Sequence, residues 1–256
     1  SSIRSTLGLT NVSYPYPSGS WDDYINYVKG NNSSQLPSSY RHRYGYLTFM
    51  NYLLEKRPLY SQTPVLWKTR QQPITALKNA VTVFLAYLQE VDTDDRLGLS
   101  IYTSSNGTAV LEEGLTRDFD NVETKSRQRQ AGHYDQFTNI GDGMKVARQE
   151  IINHGRTGAF RMMVLMTDGI ANRPSNEDYA RWYAIQEAYQ AANARIPIVT
   201  VSFGAGADTA LMQEIADITG GVHFNVPGGS NVSEYEEDLK DVFRQIADDR
   251  PLKLVK

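Results

Sequence analysis

The stretch FRMMVLMTDGIANRP, Phe160 to Pro174, runs an apolar segment, Met162 to Met166, straight into Thr167-Asp168-Gly169. A carboxylate at the end of a buried strand is a hard oxygen donor. A site made of oxygens alone suits a divalent cation, Mg²⁺ or else Mn²⁺ or Ca²⁺, and few protein carboxylates in the shell leave room for water or a partner's oxygen. A second oxygen is available from Thr138, which opens TNIGDGM on the way into a helix-like segment. Both residues also have a plain structural reading, because Asp begins turns and Thr caps helices. Spacing alone does not decide between the two.

Other chemistries are poorly served. The chain has no cysteine, which removes disulfides, thiolate metal sites and a cysteine nucleophile. His42, His133, His154 and His223 share no metal-ligand spacing, and no Gly-x-Ser-x-Gly elbow occurs. SFGAGAD, Ser202 to Asp208, lacks the third glycine of a dinucleotide fingerprint and reads as a tight strand-to-helix turn, with Asp208 near the helix start. Triplets of the glycosylation type at Asn11, Asn32, Asn106 and Asn231 carry little weight in a loop-rich chain.

The elements that must position Thr138 and Asp168 alternate between helix and strand. PITALKNAVTVFLAYLQEV has apolar residues at helical spacing, with Pro73 at its start. RLGLSIYT and TAVLEEGL read as strands joined by an SSNGT turn and pairing antiparallel. After a polar connection, TNIGDGMKVARQEIINHG is a helix and Met162 to Met166 a strand. Beyond them, NEDYARWYAIQEAYQAANA is an amphipathic helix, IPIVTVSFG a buried parallel strand and DTALMQEIADITGG a helix closed by glycine. VHFNV is then a short strand and SEYEEDLKDVFRQIADD a last helix. This is a doubly wound α/β layout with a mostly parallel sheet. Ligands of such sheets sit beyond the carboxyl ends of the strands, where Asp168 stands.

Residues 1–71 differ from the rest, residues 72–256. Ser, Asn, Gly, Pro and Tyr dominate, and more than half of the 16 tyrosines fall there. They read as a loop-rich insertion or extension packed on the domain, with short helices at WDDYINYVKG and YGYLTFMNYLLEK. Its rings offer either packing or a recognition surface. The 256 residues, 40% hydrophobic and 21% charged, suffice for a sizeable core. A net charge of -3 with no basic block points away from nucleic acid. The longest apolar runs fall short of the roughly 20 residues of a membrane helix, so no span is expected in this chain.

Together, TNIGDGMKVARQEI, RMMVLMTDGIAN and ANARIPIVTVSFGAGADTALMQEIADITGGVHFNV resemble the von Willebrand factor A domain, from about Pro73 to the final helix. In that family a metal-ion-dependent adhesion site is built from an Asp-x-Ser-x-Ser motif after the first central strand, a Thr in a second loop and an Asp after the fourth strand. The resemblance puts Thr138 and Asp168 in the second and third roles. The first motif is missing: at Ser18-Gly19-Ser20, Tyr16 takes the Asp position and no apolar strand leads in, so that stretch reads as a turn. The expectation is that the first strand lies upstream of Ser1, with residues 1–71 inserted after it. Such an insertion resembles bacterial TadE/TadG-like pilus-assembly proteins, which carry an amino-terminal membrane anchor.

The resemblance implies a non-enzymatic module in the bacterial cell envelope, extracytoplasmic and anchored through an upstream segment. Its cation accepts a Glu or Asp carboxylate from a partner protein, in adhesion or pilus assembly, and binds weakly in the chain as it stands. Two alternatives remain open. A metal-dependent hydrolase or phosphoryl-transfer enzyme would need a general base or a phosphate-gripping Lys beside Asp168, and MTDGIAN and FTNIGDG hold neither Lys nor His. A scaffold whose metal site has decayed is the other.

Overall fold

The computed structural model describes residues 2–30, 44–57, 59–70, 73–102, 109–130, 137–227 and 232–248. Contacts divide the chain into two compact units, Ser1–Thr69 with Gln128–Asp135, and Arg70–Arg127 with Gln136–Lys256.

The first unit is helical among its described residues: α1 (Ser2–Thr6), α2 (Trp21–Lys29), α3 (Tyr46–Lys56) and a 3-10 turn at Leu66–Lys68. Ser20 caps α2 by accepting a hydrogen bond from Asp23 N at 3.1 Å, so the Ser18-Gly19-Ser20 stretch is a helix entry. Its core is aromatic. Tyr24, Tyr27 and Tyr52 are buried with Val28, Leu53 and Leu66, and Trp21 and Phe49 pack against them.

The second unit opens with α4 (Ile74–Val91), which buries Ala76, Ala80, Phe84, Leu85 and Leu88 at helical spacing and stops where Asp92 turns left-handed at φ 44°. β1 (Leu97–Ile101) and β2 (Val110–Thr116) pair antiparallel, as expected; the turn between them lies outside the described residues. The stretch expected to be a plain polar connection contains a helix, α5 (Phe119–Arg127). Only Phe119 and Val122 of it are buried, two apolar positions that leave no periodic pattern to read. Then come α6 (Ile140–His154), β3 (Met163–Thr167), α7 (Glu177–Asn193), β4 (Ile198–Phe203), α8 (Thr209–Thr219), β5 (His223–Val226) and α9 (Val232–Asp248).

β3, β4 and β5 form a parallel sheet in that order, Met163 opposite Ile198 and Thr200 opposite His223. Helices cover both faces. Val201 and Phe203 of β4 pack with α4, α5 and α9; Ile198 of β4 and Met163 and Leu165 of β3 pack with α6, α7 and α8. Ala180, Ala184, Ala188 and Ala191 make a fully buried small-residue face on α7, so neighbouring helices approach closely. Its outward face carries exposed Tyr179, Trp182 and Tyr189, so α7 is not the amphipathic helix expected. α8 closes on Gly220 at φ 72°; at Gly221 a Cβ would stand 2.0 Å from Ile198 O, so glycine is required where the chain enters β5.

Candidate functional site

Three loops meet at the carboxyl end of the parallel sheet. Asp168 is the first residue past β3, in a turn where Gly169 N donates to Thr167 Oγ1 at 3.3 Å. Its side chain is exposed, yet the surrounding protein desolvates the carboxyl enough to raise its pKa above the ordinary Asp value, an effect its own backbone N–H partly opposes. The second loop carries Thr138. The residue that caps α6 is its neighbour Asn139, whose Oδ1 accepts from Asp142 N at 3.3 Å. Thr138 is instead tied to the Asp168 loop through its backbone: Thr138 N donates to Asn172 Oδ1, and Asn172 N to Thr138 O, both at 2.9 Å. Its Oγ1 lies 3.6 Å from where a Cβ on Gly169 would stand. Among the described residues neither that hydroxyl nor the Asp168 carboxylate is held by another side chain.

The third loop follows β4. Asp208 N donates to Gly169 O at 3.3 Å, and a Cβ on Gly206 would stand 3.3 Å from Asp168 O. Asp208 itself caps α8 through Leu211 N at 2.9 Å, the role expected of it. The ends of α6 and α8 that open toward Asp168 thus have their first amides satisfied by caps.

Two further residues shape the site. Tyr102 directly follows β1, and its hydroxyl donates to Met166 O. The residue as a whole is half-buried, but its hydroxyl end is enclosed, and burial, reinforced by the charge of Asp168, drives its pKa upward while Thr167 opposes the shift. The signal that points to Tyr102 is its place: like Asp168 it sits just past the carboxyl end of a strand. Asp142, in the first turn of α6, is buried and accepts from Ala109 N and, at 3.5 Å, from the Tyr183 hydroxyl. It ties α6 to the start of β2 and to α7.

No group of three or more His, Cys, Asp or Glu side chains converges on a point among the described residues. Thr138 and Asp168 supply one hydroxyl and one carboxylate, hard oxygens that fit a Mg²⁺-type ion but furnish only part of its roughly six ligands. His223 bonds Thr200 Oγ1 at 2.9 Å, bridging β4 and β5, and His154 lies against Glu150 at 2.7 Å; His42 and His133 lie outside the described residues. No described helix is long and apolar enough to cross a membrane.

A parallel sheet between helical layers, with an exposed Asp and an adjacent Thr in the loops at its carboxyl edge, defines the class: an α/β domain with helices flanking a parallel sheet. The chain belongs to the von Willebrand factor type A domain family, whose model matches residues 67–241. Its fold is similar to that of an aerotolerance-related membrane protein from Bacteroides fragilis (16% identity, 68% of this chain and 90% of that one, TM-score 0.51). It is similar also to BatB from Bacteroides thetaiotaomicron (16%, 69% and 89%, TM-score 0.53). A von Willebrand factor type A protein from Catenulispora acidiphila matches at 16% over 68% of this chain and 37% of that one, TM-score 0.50. No curated protein matches the chain.

Proposed function

We propose that this chain is a non-enzymatic protein-binding module. Thr138 and Asp168 hold a hard divalent cation, Mg²⁺ or Mn²⁺, and that cation accepts a Glu or Asp carboxylate from a partner protein. The observation that carries this reading is the pair of uncommitted oxygens on adjacent loops at the carboxyl edge of β3. A cation with one protein carboxylate keeps most of its positive charge and its exchangeable waters, which an acidic partner side chain can replace. The use is adhesion or pilus and envelope assembly at the bacterial surface, a setting in keeping with a Bacteroides fragilis neighbour described as a membrane protein.

Titration calorimetry with MgCl₂ and MnCl₂ tests it. The 256-residue chain should bind at about millimolar affinity, because two side chains leave the ion mostly hydrated. Asp168→Ala should abolish the signal, and a short Glu-containing peptide should bind only when metal is present. Metal binding that survives Asp168→Ala, or peptide binding indifferent to chelator, overturns the assignment.

A further inference from the structure

The helix α7 buries its small residues and exposes its large ones. Ala180, Ala184, Ala188 and Ala191 are fully enclosed, while Tyr179 is 46% exposed, Trp182 53% and Tyr189 51%. The fold draws little from these rings, since a ring stabilises by being buried. The other exposed positions between Tyr179 and Asn193 are Gln186, Gln190 and Asn193 itself. Tyr179, Trp182, Gln186, Tyr189 and Asn193 follow one another at steps of three, four, three and four, which draws one stripe along about 21 Å of helix. The Tyr179 and Trp182 rings lie 5.2 Å apart and hold each other in place before anything binds.

No charge lies on the stripe. The charged residues of α7 that flank it, Arg181 and Glu187, are already matched: Arg148 of α6 holds Glu187 at 2.8 Å, and Arg181 holds Glu214 of α8 at 2.6 Å and reaches Asp208 at 3.4 Å. Rings and amides in the middle with charge at the border is the composition of an interface, whereas an ordinary surface helix turns charged residues outward. The two ends of the stripe differ in sign. At the amino end, Glu177 and Asp178 line an open cavity of about 520 Å³, and the cation of that cavity, Arg173, is drawn onto the Phe137 ring at 3.5 Å. At the carboxyl end, Arg195 is exposed at φ 56°, a left-handed position where glycine is the ordinary choice, so the backbone does not account for an arginine there. Among the described residues, none of Glu177, Asp178 and Arg195 is in an ion pair.

We propose that this stripe is a self-association surface: two copies of the chain pack α7 against α7, antiparallel, about a two-fold axis near Gln186. Charge decides the orientation. An antiparallel pair sets Trp182 of one copy across from Tyr189 of the other and brings Arg195 beside Glu177, twice over. A parallel pair would set Glu177 against Glu177 and Arg195 against Arg195. Opposed helix dipoles favour the antiparallel arrangement as well. An uncharged stripe meets its own copy without repulsion, and a two-fold contact closes at two copies. Area sets the strength. Three rings about half exposed offer about 300 Å² per copy, well under the roughly 800 Å² per partner of a stable complex, so the dimer is a weak one. The inference does not rest on the cation, because the stripe contains neither Thr138 nor Asp168.

Sedimentation equilibrium on the 256-residue chain, up to about 500 µM, tests it. A monomer–dimer equilibrium with a dissociation constant on the order of 100 µM is expected. Trp182→Ala should weaken it at least about tenfold and leave the thermal midpoint in place, because the ring is exposed. Glu177→Arg alone and Arg195→Glu alone should each weaken association, since each sets like charges face to face. An equimolar mixture of those two variants should restore it, since the mixed pair again opposes unlike charges. The chain has no cysteine, so Gln186→Cys should oxidise cleanly to a linked dimer across the axis. Chelator and Asp168→Ala should leave the equilibrium unchanged, which separates this surface from the cation site. A chain that stays monomeric at the highest concentration, or a dimer indifferent to Trp182→Ala, overturns the proposal. Loss in both charge variants without recovery in their mixture overturns the antiparallel arrangement. A monomer that floats with phosphatidylcholine vesicles through Trp182 overturns the second copy as occupant in favour of a lipid surface.

Discussion

The two units of this chain solve the problem of a core with different materials. In the second unit, Ile140, Leu211 and Ile215 are buried completely, aliphatic residues that carry no polar atom and need only shape. In the first, Tyr24, Tyr27 and Tyr52 fill the centre, with Tyr24 meeting Phe49 edge to face at 5.1 Å. Rings bring large apolar area from few residues, but each Tyr also brings a hydroxyl that must find a partner. Some do: Tyr24 shares its hydroxyl with Thr48 Oγ1 at 3.0 Å and Gly45 N at 3.1 Å, and Tyr27 donates to Glu55 at 3.0 Å. Others do not. Tyr14 and Tyr52 hydroxyls crowd with Arg57 Nε around Gly19, near enough to perturb one another yet without a well-formed hydrogen bond, and burial raises both tyrosine pKa values. An aliphatic core is limited by volume and an aromatic one by polar satisfaction.

The largest effect expected from that contrast is at Ile215, on α8 in the aliphatic core. Ile215→Ala leaves a cavity where nothing polar can compensate, and should cost about 2–5 kcal/mol in urea unfolding. A loss below about 1 kcal/mol would mean that the helical layer relaxes into the space left and is not close-packed. The next effect separates tyrosines inside one core. Tyr24→Phe breaks a hydroxyl with partners and should cost about 1 kcal/mol. Tyr52→Phe removes a hydroxyl with no well-formed hydrogen bond among the described residues, and should fall within about 0.5 kcal/mol of neutral or on the stabilising side. Equal losses from the two would erase the distinction drawn between satisfied and orphaned hydroxyls.

The same contrast explains what could be read in advance. Aliphatic residues repeating at helix and strand periods made α4, β3, β4 and α8 legible, because in the second unit the period is the packing. The first unit has no such period: its rings cluster through loops and helix ends, so only α2 and α3 could be seen. α5 escaped for lack of apolar residues, and the outer face of α7 was misread because three exposed rings interrupt its polar side. At the site, Thr138 and Asp168 were visible by type and position. Tyr102 was passed over although it too stands just past a strand, since its bond to Met166 O joins residues 64 apart in the chain, which no local pattern records.

The smallest effect is at Asp168, and it separates a residue kept for stability from one kept for binding. Desolvation raises its folded-state pKa above 3.8, so the folded chain holds that proton more tightly than the unfolded one. The linkage sign follows: this contribution to stability is fully present below the unfolded pKa and is lost as pH rises through the folded one. At neutral pH the ionised carboxylate is therefore a small burden on the fold. Asp168→Asn should raise the thermal midpoint slightly at pH 7, leave it unchanged at pH 3 and flatten the curve between. Millimolar MgCl₂ should raise the midpoint of the natural chain at pH 7, since an ion that binds only the folded state stabilises it by mass action, and should leave the Asn variant where it was. A carboxylate that served the fold would behave oppositely: its removal would lower the midpoint at pH 7, and magnesium would make no difference to either protein.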